Sequence, residues 1–262
     1  MKLNLMALLA CVAVVTACGG PDTAGTAGTA DTADTGASTE TAPAQRADFT
    51  PQVVTREDIP PGINEDSWAR VPPITRESLD ADGQRAYDVI VNPDSRYAGG
   101  LRGPIGMWMY SPPMAEHLFP ASSYLRFGAD GNRDQRLAEL AILTAARALN
   151  SQYEWSAHEP LGRNFGLEEE IIELLRWDTP LADAGELPGL GEAERTIIRV
   201  VRELIREPKL SDEAFEAAQR IFGNQGLMDI AGLIGHYTLV NYTLKAFDVQ
   251  RPPGSELTLP LP

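Results

Sequence analysis

Three side chains capable of acid–base chemistry lie close together near the middle of the chain. Glu139 occurs in the run 137–149, in which nearly every position is apolar or small. A helix without a polar face lies inside a protein, so Glu139 is predicted to be a carboxylate in the core. Glu154 and His158 follow, four residues apart and therefore on one face of a second helix. The Asn-Ser pair at 150–151 is typical of a helix end and a new start, which predicts an antiparallel hairpin with all three side chains at one pocket.

These residue types suit proton transfer. A carboxyl group among apolar side chains has a raised pKa unless an arginine compensates it, and Glu139 would then act as a general acid or base near neutral pH. The imidazole of His158 titrates in this range, and Glu154 is placed to fix its tautomer or raise its pKa. Two structural alternatives stay open: an ion pair of Glu139 with Arg136 or Arg147, and a buried, hydrogen-bonded His158 without a catalytic role.

Other residues near the hairpin are candidates for substrate contact. Tyr153 could donate a hydrogen bond to a developing enolate oxygen. Arg147 and Arg163 could each hold a substrate carboxylate with two parallel hydrogen bonds. Trp108 belongs to the glycine-rich segment 98–110, whose large apolar side chains are typical of a pocket rim.

The sequence predicts neither a metal site nor a cofactor. Glu154 and His158 offer only two ligands, which is too few for a metal centre. His117 and His236 have no spacing that ties them to this pair. We interpret His117 as a half-buried packing residue, and His236 with Tyr237 as core or subunit-contact residues on an apolar helix.

The pattern of apolar residues predicts an all-α domain, because no segment alternates convincingly with period two. A helix–helix–helix order occurs at 133–177 and again at 192–247, which suggests two structurally repeated three-helix units as an alternative to an unrepeated bundle. Pro120 and Pro160 are predicted to kink or break their helices. The predicted helices cover residues 76–91, 111–127, 133–149, 151–166, 167–177, 192–206, 211–222 and 227–247.

Two motifs and a glycine within about residues 100–180 resemble a known family. The first motif is Arg136-Leu137-Ala138-Glu139-Leu140-Ala141-Ile142-Leu143. The second is Glu154-Trp155-Ser156-Ala157-His158, and the glycine is Gly166. They resemble the carboxymuconolactone decarboxylase family, which includes alkyl hydroperoxidase D. The resemblance implies an alkyl hydroperoxidase D-like helical bundle, proton transfer by Glu139 and His158 together, a lactone-acid substrate and a homo-oligomer. The peroxidase branch has cysteines seven and four residues before the histidine, where this chain has Ser151 and Glu154.

The N-terminal segment predicts export and lipid anchoring. Residues 1–17 form a short basic start and an apolar stretch too brief to span a bilayer. The sequence that ends at Cys18 resembles a bacterial lipoprotein box, although an ordinary signal peptide stays open as an alternative. Residues 18–47 are rich in Thr, Ala, Gly and Asp and are expected to form a disordered tether, followed by one domain at 48–262. We therefore expect a lipid-anchored protein of the bacterial cell envelope.

Composition narrows the choice of function. The net charge is −15 and no basic residues cluster in a stripe, so nucleic acid is excluded as a partner. The chain's two cysteines are Cys11 and Cys18, which leaves no thiol for peroxide reduction once the signal is removed and Cys18 is lipidated. We expect a decarboxylase or isomerase that acts on a small carboxylated or lactone-type substrate without a cofactor. The alternatives are a binding or scaffold lipoprotein with the same fold and, less favoured, a thiol peroxidase.

Overall fold

The computed structural model describes residues 49–262, so the predicted signal segment, Cys18 and the tether lie outside the described residues. Two short strands, β1 (Gln52–Val53) and β2 (Glu256–Leu257), pair antiparallel and join the two ends of the described chain. Eight α-helices make up the rest of the regular structure in this range, apart from two 3₁₀ turns at Arg56–Asp58 and Arg76–Ser78. They are α1 (Ala81–Ile90), α2 (Gly103–Trp108), α3 (Pro112–Phe127), α4 (Gln135–Ala148), α5 (Gln152–Asn164), α6 (Glu169–Arg176), α7 (Glu192–Arg206) and α8 (Asp212–Phe247). The predicted all-α class is confirmed.

The α4–α5 hairpin lies at the centre of the fold. Every residue from Ala138 to Ala146 is buried, because α5, α6, α7 and α8 all pack against α4. Asp134 begins α4 by accepting a hydrogen bond from the backbone N–H of Leu137 at 3.1 Å. Asn150 then reverses the chain with a left-handed φ of 50°, which asparagine tolerates better than most residues. The hairpin thus has the form that the sequence predicts.

A buried carboxylate, Glu159, fixes the C-terminal tail (residues 248–262) to this hairpin. Arg176 donates to one oxygen of Glu159, and the hydroxyl of Thr258 donates to the other. Arg163 also pairs with Glu159 at 2.7 Å. Because a buried charge is costly unless it is paired, these contacts hold the tail against α5 and α6.

Three element predictions differ from the structure. The glycine-rich segment 98–110, where no helix is predicted, contains α2. The helix predicted over 76–91 is split, since a 3₁₀ turn at Arg76–Ser78 precedes α1, and Asp80 caps α1. Neither helix breaks at its proline, since α3 and α5 continue through Pro120 and Pro160, and a kink at either position stays a prediction. A proline removes one backbone hydrogen bond, but packing on both sides of a short helix can hold it together.

A glycine separates α8 into two parts. Gly223 has non-helical angles (φ 67°, ψ 177°) inside the range 212–247. This position falls between the predicted helices 211–222 and 227–247, so the sequence located the interruption correctly. The two three-helix segments therefore occur in the predicted order, while their structural equivalence stays a prediction. None of the helices between residues 49 and 262 is both long and apolar enough to cross a bilayer.

The glycines of α8 have different surroundings. A Cβ at Gly232 would lie 2.8 Å from Leu125 Cδ2, so this glycine admits α3 of the same chain. Gly235 is exposed and has nothing within 4 Å of such a Cβ. Gly232 therefore receives a helix of the same chain, whereas the space beside Gly235 is open.

Candidate active site

A cavity of 630 Å³ opens beside the central hairpin. Its walls come from α2, α3, α5 and α8, together with two extended segments. These are the lead-in (residues 49–74) and the tail, which are hydrogen-bonded to each other through Gln250 N and the Trp68 carbonyl oxygen at 2.7 Å. Four helices and these two extended segments thus line one space.

His158 connects this cavity to the buried carboxylate behind it. Its Nδ1 lies 2.6 Å from Glu139 Oε2, and the other oxygen of Glu139 accepts a hydrogen bond from Arg126 Nη2 at 2.8 Å. Glu139 is fully buried and does not line the cavity, whereas His158 does. Since an ionised carboxylate can only accept, Nδ1 carries the proton and Nε2 is the nitrogen that remains for the cavity.

The two groups of this pair stabilise each other's charge. Burial would raise the pKa of Glu139, but His158 and Arg126 together hold that pKa below its usual value. Burial would lower the pKa of His158, but hydrogen bonds and charge from Glu139 and Glu154 raise it above its usual value. The raised carboxyl pKa that the sequence suggested is therefore absent, because an arginine compensates it. That arginine is Arg126 rather than Arg136 or Arg147.

The Nε2 side of His158 is held loosely. Tyr237 Oη lies at 3.3 Å and Glu154 Oε2 at 3.5 Å, both longer than an ordinary N–H···O hydrogen bond. Both residues line the cavity. Burial raises the pKa of Tyr237, so its hydroxyl is a neutral donor near neutral pH. A ligand could therefore replace these weak contacts and meet an N–H, an O–H and a carboxylate at one point.

His236 forms a neutral part of the same wall. Burial, with the charges of Arg96, Arg126 and His158, lowers the pKa of His236 to about 4. Its Nε2 lies 3.1 Å from Ser122 Oγ, and its ring packs edge-on against Trp108 at 5.5 Å. It is a cavity residue without charge at neutral pH.

The structure places the other predicted site residues differently. Tyr153 lines the cavity, whereas Arg147, Arg163 and Trp108 do not. Arg147 donates to the carbonyl oxygen of Pro260 at 2.7 Å and so holds the tail. Arg163 pairs with carboxylates on α5 and at the start of α6. Trp108 is buried, and its Nε1 donates to Thr243 Oγ1 at 3.2 Å, so it supports the wall from behind.

Several cavity residues were not found from the sequence. They are Tyr237, which was interpreted as core or subunit contact, and four arginines at positions 96, 102, 126 and 251. A polar His-Tyr pair on an otherwise apolar helix was a local signal for Tyr237. The arginines come from three segments, namely the loop that holds Arg96 and Arg102, helix α3 and the C-terminal tail, and no local spacing connects these segments.

Gly103 is predicted to be essential for the shape of this wall. It has a left-handed φ of 57°, and a Cβ there would lie 2.7 Å from the hydroxyl of Tyr153. We expect Gly103→Ala to lower the free energy of unfolding by about 1–3 kcal/mol, because both the backbone and the contact are strained. Chemical denaturation measures this change. Gly99→Ala, where nothing lies within 4 Å, is the control, and equal losses in both variants would contradict the prediction.

The charges in the pair also predict how stability depends on pH. The pKa of His158 is higher in the folded protein than its ordinary value of 6.5. Its contribution to the free energy of unfolding is therefore complete below pH 6.5 and is lost as the pH rises through the pKa of the folded state. A lowered folded pKa at Glu139 means that its contribution is present above the ordinary value of 4.5 and is lost as the medium becomes more acidic. We expect the difference in free energy of unfolding between wild type and His158→Gln to be larger at pH 6 than at pH 9. Urea denaturation at both values tests this, and a difference that grows toward pH 9 would be inconsistent with it.

Comparison with a family model decides the relationship of this segment. Residues 112–202, which include Arg126, Glu139, Glu154 and His158, match the model of the Carboxymuconolactone decarboxylase family. This segment is therefore similar to that family. The resemblance stated from the two motifs is confirmed. Ser151 and Glu154 remain where peroxidase members of the carboxymuconolactone decarboxylase family carry cysteines, and residues 49–262 contain no cysteine.

Two solved structures resemble the domain. One is titled an alkylhydroperoxidase AhpD core, an uncharacterized peroxidase-related protein from Ralstonia eutropha, with 18% identity, a TM-score of 0.52 and coverage of 70% of this chain and 92% of that chain. The other is a protein of unknown function from Agrobacterium tumefaciens, titled a putative antioxidant defence protein AhpD, with 22% identity, a TM-score of 0.48 and coverage of 57% and 98%. No curated protein matches the chain. The first structure supports the alkyl hydroperoxidase D-like fold.

Between residues 49 and 262, no three side chains of His, Cys, Asp or Glu come together in a way that could hold a metal ion. The absence of a cofactor stays a prediction from the sequence.

Proposed function

We propose that this protein is an enzyme that uses His158 as an acid–base group, without a thiol, to decarboxylate or isomerise a small carboxylated or lactone-type substrate. The observation that carries the proposal is the contact of Glu139 with His158 Nδ1 at 2.6 Å, which leaves Nε2 facing the cavity. A carboxylate–imidazole pair fixes both the ring and its tautomer, so the free nitrogen is positioned for proton transfer.

The charges determine the direction of that transfer. Since hydrogen bonds and charge from Glu139 and Glu154 raise the pKa of His158 despite its burial, they favour the imidazolium form, which acts first as an acid. In a decarboxylation, the bond to a substrate carboxylate breaks, CO₂ leaves, and the electron pair delocalises into an adjacent carbonyl as an enolate. His158 then gives its Nε2 proton to carbon and recovers a proton from water.

Neighbouring residues supply the remaining interactions. The neutral hydroxyl of Tyr237, 3.3 Å from Nε2, can donate to the enolate oxygen, and Tyr153 is a second donor on the same cavity wall. In an isomerisation, the carboxylate of Glu154 can remove a proton from carbon before His158 returns one elsewhere. Glu139 acts only through His158, so it is a positioning residue.

A metabolite screen tests the proposal. Wild-type protein and His158→Ala are incubated with a library of carboxylic acids and lactones, and depletion is followed by mass spectrometry. We expect depletion of at least one compound by wild type only. Depletion by neither protein would favour the binding or scaffold alternative, and depletion of added hydroperoxide by wild type would favour peroxidase activity.

The proposal also covers the oligomeric state of the protein and its location in the cell. We propose that the protein acts as a homo-oligomer anchored to a bacterial envelope membrane through lipid on Cys18. The support is the sequence that ends at Cys18 and the exposed Gly235 on α8.

A further inference from the structure

Three arginines of the cavity have no carboxylate partner. Arg96, Arg102 and Arg251 all line the space, and none forms an ion pair with another residue of the described range 49–262. The fourth arginine, Arg126, differs because Glu139 neutralises it. The Nε of Arg251 is buried and has no hydrogen-bond partner within that range. The cavity therefore contains guanidinium groups that no carboxylate within residues 49–262 neutralises.

Aromatic rings hold these guanidinium groups in place. Arg96 and Arg102 lie over the ring of Tyr97, at 5.2 Å and 5.4 Å from its centroid. Arg251 lies 5.2 Å from the centroid of the Tyr153 ring. Such contacts orient an arginine without removing its charge. The three cations are therefore preorganised and remain free to bind an anion.

The two arginine–tyrosine groups meet at one place. Arg102 immediately precedes Gly103, and the absent side chain of Gly103 leaves room for the hydroxyl of Tyr153 beneath Arg251. We use the name arginine subsite for Arg96, Arg102 and Arg251 with these two tyrosines. It joins the loop before α2, the first turn of α5 and the C-terminal tail along one side of the cavity.

Charge makes this arrangement unusual for the chain. The protein has a net charge of −15, yet the cavity is lined by four arginines and by only two carboxylates, Asp66 and Glu154. A low-dielectric cleft concentrates the field of such a cluster and attracts ions of opposite sign. Arginine also matches the planar shape of a carboxylate through two parallel hydrogen bonds.

We infer that the arginine subsite binds a carboxylate group of the substrate that does not react, and that Arg251 and Arg102 determine specificity for it. This inference rests on the proposed function, since it assigns the far end of a ligand whose near end meets His158. All three arginines lie outside residues 112–202, the segment that matches the family model. The subsite is therefore a property of this chain beyond the segment shared with the family.

Binding of simple probes tests the inference without knowledge of the substrate. Isothermal titration calorimetry at low ionic strength would measure succinate, its neutral analogue succinamide, and inorganic phosphate with the folded wild-type protein. The same titrations would be made with Arg251→Gln, Arg251→Lys and Arg102→Gln. Arg85→Gln is the matched control, because Arg85 is exposed on α1, pairs with Asp82 and does not line the cavity.

We expect succinate to bind wild type and Arg85→Gln equally, and to bind Arg251→Gln and Arg102→Gln at least about tenfold more weakly. Arg251→Lys should be intermediate, since it keeps the charge but loses the paired hydrogen bonds. Equal affinity in all variants, equal binding of succinamide, or tighter binding of phosphate would overturn the inference. If circular dichroism shows that Arg251→Gln does not fold, the affinities of Arg102→Gln and Arg251→Lys still test the inference.

A further variant separates this inference from the proposed function. His158→Gln should bind succinate more tightly than Arg251→Gln does, because the arginine subsite does not include His158. Loss of binding in His158→Gln but not in Arg251→Gln would place the anion at the acid–base pair and overturn the subsite alone. Intact succinate binding together with undiminished metabolite depletion by His158→Gln would instead refute the proposed function alone.

Discussion

Replacing His158 with glutamine is expected to reduce kcat/KM about 10²–10⁴-fold, with little change in secondary structure, on the compound that wild type depletes. Glutamine keeps a polar side chain near Glu139 but cannot move a proton. Steady-state kinetics measures the loss, and His117→Gln is the control, since His117 is exposed on α3 and does not line the cavity. Equal kinetics of His158→Gln and wild type would remove His158 from the mechanism.

Glu139 should show a related but distinguishable kinetic effect. Glu139→Gln removes the negative charge that, with Glu154, raises the pKa of His158 against the effect of burial. In this variant, we expect the part of the kcat/KM pH profile that follows titration of His158 to shift to lower pH. A role in packing alone would lower activity without moving the profile.

Replacing Glu139 with alanine is expected to cause the largest loss of stability. The exposed fraction of the side chain is 12% for Arg126 and 0% for Glu139, so the variant leaves a buried guanidinium without its partner. Breaking a buried pair from one side costs about 3–5 kcal/mol in free energy of unfolding. Chemical denaturation measures this cost. Glu65→Ala is the control, because the Arg56–Glu65 pair is exposed and should contribute little.

A double-mutant cycle separates the ion pair from simple loss of packing. The decreases in free energy of unfolding for Arg126→Ala and Glu139→Ala should add up to more than the decrease for the double variant. Each single variant leaves one charge unpaired, whereas the double variant removes both charges. Strictly additive losses would show that the two side chains do not interact energetically.

Local patterns in the sequence were sufficient to predict the scaffold of the site. The unbroken apolar run around Glu139 required a buried helix, and the Asn-Ser pair at 150–151 marked the reversal. The spacing of Glu154 and His158 placed both on one helix face. These features depend on residues close together in the chain, so helical geometry alone determines them.

Helical geometry also explains why two predicted arginines lie elsewhere. At about 100° per residue, Arg163 lies roughly 140° around α5 from His158 and faces away from the cavity. Arg147 is eight residues beyond Glu139, roughly 12 Å along α4 at 1.5 Å per residue. Both positions could have been rejected from the spacing alone.

The residues that complete the cavity could not be predicted in this way. Tyr237 meets His158 across 79 residues of sequence, and Arg251 arrives on the tail after α8. Their positions depend on how α8 and the tail pack against the hairpin, which is a long-range property. An apolar helix pattern predicts that Tyr237 is buried, but it does not reveal which cavity its hydroxyl faces.

The most direct test of proton transfer by His158 is a reaction in D₂O with the compound that the metabolite screen identifies. Mass spectrometry and NMR would locate deuterium in the product. We expect wild type to form a product with one deuterium bound to carbon, and His158→Gln to lose both turnover and deuterium incorporation. A product without carbon-bound deuterium, or labelled product formed at an undiminished rate by His158→Gln, would contradict it.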